Sequence, residues 1–208
     1  MEERDNGVVL RTRPLTETSL IVHWLTEQSG RIATVAKGAR RPSSPFRGKL
    51  DLCHVARIAF HRSRRGDLHT LREVVLVDTF PALRTSFESL RTAACAARIL
   101  ERFLESDTPV NSIYPLFLNL LKLAAAHPES PLPLLWFEWH LLSDQGMAPE
   151  LEQATLSPGS RAVLRQIHAA SNPLPPLRLS APQERELRSF MNELWEASQG
   201  WVPGGLGR

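Results

Sequence analysis

The first 80 residues alternate short apolar runs with turn signals. Runs of six to eight residues or slightly more, rich in β-branched side chains, are typical of strands. Five such runs lie at Gly7–Arg13, Ser19–Thr26, Arg31–Lys37, Leu52–His61 and Leu71–Val77. In the fourth run, alternate residues from Leu52 to Phe60, His54 among them, are predicted to share one face of a strand. Five short strands in so few residues predict a small closed or nearly closed barrel.

The hydrophobic period becomes helical after Thr79. Within residues 84–106, apolar side chains recur every three or four positions. Similar segments lie at Ser112–His127, Pro131–Gly146, Ser157–Ala170 and Ser180–Ser198. Thr85 or Ser86 is a candidate cap for the first helix, and Ser180 for the last. Gly146 is the predicted end of the third helix. The chain therefore divides into a predicted barrel domain at 1–80 and a helical bundle at 81–200.

Two segments show neither the strand periodicity nor the helical periodicity of apolar residues. The proline-rich stretch SNPLPPLRL at Ser171–Leu179 predicts a stiff connector between the last two helices. The segment 201–208, within GWVPGGLGR, holds three glycines and a proline and is predicted to be a frayed tail.

Charge is distributed unevenly along the chain, although the net charge of the 208 residues is only +3. Between Arg31 and Arg72 there are eleven lysines or arginines against Asp51 and Asp67, a net charge of +9. The rest of the chain therefore carries −6. Such an asymmetry indicates a polyanionic partner, although a merely solvated loop surface remains the alternative.

The basic residues concentrate in two predicted loops. The loop after the third strand holds Lys37, Arg40, Arg41, Arg47 and Lys49, and the loop after the fourth holds Arg62, Arg64 and Arg65. A small barrel of this type presents a groove across its second and third strands, where cations follow a phosphate backbone and aromatic rings stack on bases. We therefore predict nucleic-acid contacts at these eight residues. Trp24 is better explained as core, whereas Phe46 fits base stacking and core packing equally well.

No motif for catalysis or metal binding is found in the sequence. HExxH, GxSxG, the P-loop and CxxC are all missing, and the seven histidines are scattered. The two cysteines, Cys53 and Cys95, are expected to be small buried residues of a reducing compartment. With no secretory signal and no apolar run of 18 residues, we expect a cytoplasmic protein without membrane segments, enzymatic activity, metal or cofactor.

Six short patterns, in order, carry a resemblance to a known family. They are GVVLRTRP at Gly7–Pro14, ETSL at Glu17–Leu20, TEQSGR at Thr26–Arg31, AKGARR at Ala36–Arg41, SPFRGKL at Ser44–Leu50 and GDLHTL at Gly66–Leu71. Together they resemble the barrel of RecO, the bacterial recombination mediator. The helical region is similar in order and size.

The resemblance implies an α+β protein with an N-terminal five-stranded OB-fold barrel, a helical domain and no catalytic activity. RecO-like proteins bind single- and double-stranded DNA and anneal strands. They bind the acidic C-terminal tail of single-stranded DNA-binding protein and, with RecR, help load RecA during DNA repair. The implied location is the bacterial cytoplasm, at the nucleoid. For the tail peptide, Arg102 and Lys122 are the candidate contacts.

Two features differ from the family pattern. Many RecO proteins carry a four-cysteine zinc module, but here GMAPELEQ at Gly146–Gln153 continues directly into ATLSPGS. Zinc is therefore not expected. The usual basic ending is replaced by GWVPGGLGR. Two other functions stay open from the residues themselves: a protein-interaction adaptor whose basic patch takes an acidic peptide, and an RNA-binding OB-fold protein.

Overall fold

Five strands form a closed barrel at the N-terminal end of the chain. The computed structural model describes residues 2–170 and 177–203. The strands are β1 (Glu2–Pro14), β2 (Leu20–Thr26), β3 (Gly30–Ala36), β4 (Val55–His61) and β5 (Leu68–Asp78). They close in the order β1-β2-β3-β5-β4. Only the β3–β5 pair is parallel within this barrel. The predicted five-stranded barrel is confirmed.

β1 closes the barrel because it is long enough to pair with two neighbours. Its first part, Glu2–Val8, pairs with β4, and its later part, Gly7–Pro14, pairs with β2. The register with β2 shifts between Val9 and Arg11, as in a β-bulge. A bulge bends a strand and increases its twist, so β1 can pass from one side of the barrel to the other.

The barrel core is filled by alternate residues of each strand. Trp24 and Phe60 are fully buried, together with Ile32 and Val22. The indole Nε1 of Trp24 donates to the hydroxyl of Thr34 at 2.9 Å, so the polar edge of the ring is satisfied inside the core. The prediction that Trp24 is a core residue is confirmed.

The fourth strand begins later than predicted. Cys53 has a positive φ of 64°, and the amide of His54 donates to the carbonyl of Asp51, so Leu52–His54 form a turn. A non-glycine residue at positive φ interrupts the extended backbone. The prediction that Leu52 and His54 share the face of β4 with Ile58 and Phe60 is therefore wrong.

The helical part has five α-helices in its described residues. They are α1 (Phe87–Phe103), α2 (Ile113–Ala126), α3 (Leu132–Asp144), α4 (Pro158–Ala169) and α5 (Ala181–Gln199). Short 3-10 helices lie at Pro81–Thr85 and Leu151–Gln153. Ser86 accepts from the amide of Ser89, Ser180 forms a capping box with Gln183, and Gly146 follows α3 at φ +68°. The predicted helix ends at these residues are confirmed.

Contacts divide the chain into two compact units. One combines Met1–Pro81 with Ala97–Pro115, and the other combines Ala82–Ala96 with Leu116–Arg208. In the second unit, Trp136, Phe137 and Trp139 are buried and belong to the core. Cys53 and Cys95 are also buried, as expected. No helix in the described residues is long and apolar enough to span a bilayer.

The predicted connector and tail are described only in part. Residues 171–176 of the predicted connector and 204–208 of the predicted tail lie outside the described residues. Trp201 stacks on Trp195 with ring centroids 5.2 Å apart. The start of the predicted tail therefore packs on α5.

Candidate nucleic-acid interface

Residues 37–54, the β3–β4 loop, are built from consecutive tight turns. Backbone hydrogen bonds of the i to i+3 type link Ala36 to Ala39, Gly38 to Arg41, Arg41 to Ser44, Ser44 to Arg47 and Phe46 to Lys49. Each bond satisfies a backbone donor and acceptor within the loop itself. The most basic stretch of the chain is thus a folded surface element.

Phe46 fixes this loop to the barrel. Its side chain is 7% exposed and belongs to the core cluster with Trp24, Phe60 and Val74. Two residues later, Gly48 turns the backbone at φ +71°. A Cβ at Gly48 would meet nothing within 4 Å, so glycine is favoured there by backbone conformation and not by lack of space. The interpretation of Phe46 as a base-stacking residue is wrong, because its ring closes the barrel core.

Hydrogen bonds attach the loop to its neighbours. The amide of Arg40 donates to Thr18 O at 3.0 Å, and its Nη1 donates to Thr16 O at 3.1 Å. Lys49 is half-buried, and its Nζ donates to the carbonyl of Val74 on β5 at 3.0 Å. Lys49 therefore holds the loop against the barrel wall.

The other four cations of the loop face solvent. Lys37, Arg40, Arg41 and Arg47 are exposed. Arg47 Nη1 donates to Pro42 O at 3.3 Å, which orients its guanidinium across the loop. Guanidinium groups held in this way keep most of their five donors available for phosphate oxygens.

The β4–β5 loop, residues 62–67, contains two kinds of arginine. Arg62 is an internal ion-pair partner: its Nε lies 2.8 Å from Glu3 Oε1, and its Nη1 bonds to Asp107. His69 Nε2 lies 2.8 Å from the same Asp107 oxygen, Oδ1. The hydrogen bond from Arg62 is the main cause that lowers the pKa of Glu3, and the Glu3 bond likewise raises the pKa of Arg62.

Arg64 and Arg65, by contrast, are exposed at the tip of that loop. The parallel register places Leu68, which follows the loop, beside Ala33 in the middle of β3. The loop itself therefore lies toward the Gly30 end of β3, whereas Lys37 follows the other end. The seven residues of β3 span roughly 20 Å, so the two basic loops lie toward opposite ends of this strand.

The predicted groove across β2 and β3 is closed by the chain itself. On the outer face of β2, Ile21 and Leu25 are buried. Segment 101–108 lies on this surface: the guanidinium of Arg31 donates to Leu104 O at 2.8 Å and to Ser106 Oγ at 2.7 Å. A Cβ on Gly30 would lie 1.9 Å from Thr108 O, so glycine permits this close approach. The prediction of an open groove across β2 and β3 is wrong, since residues 97–115 belong to the barrel unit.

The predicted contacts left out several exposed arginines of the barrel, among them a pair on β1. Arg11 and Arg13 lie on the last part of β1, outside the basic block that begins at Arg31. Their signal in the sequence was the alternation in GVVLRTRP, where two arginines two residues apart share one face of a strand.

The predicted peptide contacts Arg102 and Lys122 are exposed on α1 and α2. They fall in different compact units, and their role stays a prediction.

The residues present do not fit the zinc module of the family. A structural four-thiolate site needs four cysteines, and this chain has two. Among residues 2–170 and 177–203, no group of three or more His, Cys, Asp or Glu side chains is placed to hold a metal ion.

Comparisons with known proteins agree with this architecture. Residues 1–80 match the family model described as "Recombination protein O N terminal", and residues 84–157 match "Recombination protein O C terminal". The first match covers the whole barrel with its basic loops, and the second covers α1 to α3. Residues 158–208 lie outside both matches.

Curated relatives carry the name DNA repair protein RecO. The protein of Rhodopirellula baltica is 33% identical over 150 residues, which are 72% of this chain and 56% of that protein. The protein of Symbiobacterium thermophilum is 33% identical over 159 residues, 76% of this chain and 62% of its own length. That of Salmonella paratyphi B is 35% identical over 147 residues, 70% and 59% of the two chains. The chain thus spans about three fifths of the length of these relatives. With an OB-type closed barrel, its helices and both family matches in order, the chain belongs to the RecO family of DNA repair proteins.

Proposed function

We propose that this chain is a DNA-binding recombination mediator in DNA repair. It binds single- and double-stranded DNA, anneals complementary strands, and acts with RecR to help load RecA onto DNA coated by single-stranded DNA-binding protein. Residues 1–80 are the DNA-binding domain, and residues 81–200 form a helical partner-binding domain. The function needs no catalytic residue and no cofactor.

The observation that carries this proposal is the folded β3–β4 loop with its exposed cations. Lys37, Arg40, Arg41 and Arg47 are displayed on a chain of turns whose base, Phe46, is buried in the barrel. Cations on a folded loop lose less conformational freedom on binding than cations on a flexible tail. Arginine forks bind phosphate oxygens in pairs, which favours a nucleic-acid backbone as ligand.

The partner proteins follow from membership of the family and not from any contact seen here. The acidic tail of single-stranded DNA-binding protein needs cations beside an apolar surface. Arg102 and Lys122 stay the first candidates to be substituted in a test of that interaction.

Salt dependence of DNA binding tests the proposal directly. Six predicted contacts are displayed to solvent, namely Lys37, Arg40, Arg41, Arg47, Arg64 and Arg65. If each neutralises one phosphate of single-stranded DNA, log K falls with log salt with a slope of at least roughly −4. Fluorescence anisotropy of a labelled oligonucleotide at several salt concentrations measures this slope.

A triple variant, Lys37→Gln, Arg41→Gln and Arg47→Gln, should weaken the slope by about 2, since each lost phosphate contact removes about 0.7. The matched control neutralises three exposed arginines of the helical unit, Arg165, Arg178 and Arg185. The control should keep the wild-type slope. Equal slopes for the triple variant and the wild type would place the DNA elsewhere, and binding without salt dependence would contradict the proposal altogether.

Strand annealing separates the mediator from a plain adaptor. The chain should anneal complementary oligonucleotides coated by single-stranded DNA-binding protein, and RecR should change the rate. A chain that binds the acidic tail peptide but neither binds nor anneals DNA is an adaptor.

A further inference from the structure

The end of β1 extends beyond the part of the barrel that β4 covers. Pairing with β4 stops at Val8, whereas pairing with β2 continues to Pro14. Residues 11–14 are all exposed. Arg11 and Arg13 are alternate residues of this strand, so their Cα atoms lie roughly 7 Å apart along one face. The β1–β2 hairpin therefore displays two cations in a row.

The carboxylate of Glu101 on α1 faces Arg11 of this pair. Arg11 Nη1 lies 3.9 Å from Glu101 Oε2, and Arg11 keeps 60% of its side chain exposed. The other oxygen of Glu101 lies 3.3 Å from His23 Nδ1 on β2. Arg31 is nearby, but its guanidinium is used on Leu104 O and Ser106 Oγ. Positive charge around Glu101 therefore exceeds what one carboxylate neutralises.

The arginines also influence the ionisation of the buried groups beside them. The pKa of His23 is lowered to about 4, first by burial and then by Arg13, Arg31 and Arg11. Burial raises the pKa of Glu101, although the same three arginines oppose the rise. The positive field of these arginines, which adds to burial in lowering the pKa of His23, also attracts an anion to the exposed side of Arg11 and Arg13.

The hairpin adjoins the β3–β4 loop through a direct contact. Arg40 Nη1 donates to Thr16 O, and the Arg40 amide donates to Thr18 O. Thr16 and Thr18 belong to the connection that follows Arg13 and Pro14 along the chain. Arg40 of the basic loop therefore contacts the same hairpin that carries Arg11 and Arg13.

We propose that Arg11 and Arg13 form a second phosphate-binding site for single-stranded DNA, and that Glu101 competes with the DNA backbone for Arg11. The inference rests on the proposed function and extends the DNA path from the β3–β4 loop along β1. A row of positive charges along an extended strand matches the regularly spaced phosphates of a nucleic acid. Recognition of a peptide would also need pockets for its side chains.

Two variants with opposite expected effects test this proposal. Arg11→Gln with Arg13→Gln should weaken the salt slope by about 1.4 and reduce affinity roughly tenfold near 0.15 M salt. Glu101→Gln should tighten binding roughly two- to fivefold, because loss of this partly exposed ion pair releases Arg11. Arg11→Lys with Arg13→Lys keeps the charge and should retain most of the slope.

Each variant has a matched control. Glu105→Gln removes an exposed acid four residues further along the chain and should leave DNA affinity unchanged. Arg165→Gln with Arg185→Gln removes two exposed cations of the helical unit and should keep the slope. Urea unfolding of every variant checks that the fold is retained. If the glutamine pair fails to fold, Glu101→Gln still tests the site, and the lysine variant shows whether charge alone maintains the slope.

Titration of His23 by NMR gives a readout independent of affinity. A phosphate on Arg11 and Arg13 offsets part of their charge, so the pKa of His23 should rise from about 4 when single-stranded DNA is added. The pKa should not move when DNA is added to the Arg11→Gln, Arg13→Gln variant.

The failures of the two proposals are distinguishable. If the wild type does not bind DNA, the proposed function fails. If the wild type binds but the Arg11, Arg13 pair can be neutralised without changing the slope, only the second site fails. If Glu101→Gln behaves like Glu105→Gln, Glu101 is not a competitor. If the pair variant loses affinity for an acidic peptide and not for DNA, Arg11 and Arg13 form a peptide site.

Discussion

The two basic loops of the barrel are both rich in lysine or arginine, but their cations have different roles. The β3–β4 loop displays Lys37 and Arg41 to solvent and holds itself in place with one aromatic ring, Phe46. The β4–β5 loop displays Arg64 and Arg65 and holds itself in place with a cation, Arg62. Counting charges along the chain does not separate these roles.

We therefore expect that a cation already neutralised by internal acids adds little to DNA binding, whereas a cation that stays exposed adds more. Arg62 pairs with Glu3 and Asp107, whose charges already neutralise it. Arg41 protrudes from a turn, where a phosphate is a better partner than water. Loop position therefore predicts a basic surface, whereas tertiary contacts decide which members of it are available.

The strongest expected effect comes from removing the aromatic ring that holds the β3–β4 loop. Phe46→Ala leaves a cavity in the barrel core and should lower the free energy of unfolding by about 3–5 kcal/mol. Urea unfolding measures this loss. Phe87→Ala is the control, because Phe87 is 76% exposed and its removal should change stability by less than about 0.5 kcal/mol. Similar losses in both variants would contradict the role of Phe46.

The next effect concerns the cation that holds the β4–β5 loop. Arg62→Gln leaves Glu3 and Asp107 without their shared partner and should cost about 1–2 kcal/mol of unfolding free energy. Its DNA salt slope should stay at the wild-type value. Arg65→Gln is the opposite case: stability should not change, and the slope should weaken by about 0.7. If Arg62→Gln weakens the slope while stability is retained, the division between the two arginines is wrong.

Lys49 tests whether the β3–β4 loop also contains a holding cation. Lys49→Met keeps the aliphatic stem but loses the hydrogen bond to Val74 O, so stability should fall by about 1 kcal/mol. The slope of log K against log salt should stay unchanged. In Arg41→Gln, by contrast, this slope should weaken by about 0.7. A Lys49→Met protein of wild-type stability with a weaker slope would place Lys49 among the DNA contacts.

The smallest effect is a pH dependence specific to the Arg62 cluster. Arg62 lowers the pKa of Glu3 below 4.5 in the folded state, so the unfolded chain binds more protons near that pH. The contribution of Glu3 to stability is therefore complete above pH 4.5 and disappears as pH falls through the folded pKa. Urea unfolding at pH 7 and pH 3.5 should show a loss of less than about 1 kcal/mol from this group. The loss should be absent from the same comparison in Arg62→Gln.

Much of the architecture follows from local patterns in the sequence. The five strand periods, the five helical periods and the caps at Ser86 and Ser180 all depend on residues within a few positions of each other. The six ordered motifs likewise pointed to the RecO family. Turn residues and the position of the basic segment between two strands also indicated a loop with both ends held.

The sequence predictions were wrong where a side chain contacts a partner far away along the chain. The motif SPFRGKL does not show whether Phe46 turns inward, and only closure of the barrel gives its ring a core to enter. The sequence likewise does not show that Arg62 meets Glu3, 59 positions away. The groove expected on β2 and β3 is covered because Arg31 bonds to Ser106, which follows it by 75 positions.

The sequence by itself therefore determined the kind and order of the elements, the family and the existence of a basic surface. The tertiary structure decided which cations stay exposed, and it brought Arg11 next to Glu101. The physical reason is range: propensity and periodicity act between neighbours along the chain, whereas burial and ion pairing depend on contacts that exist only after the barrel closes.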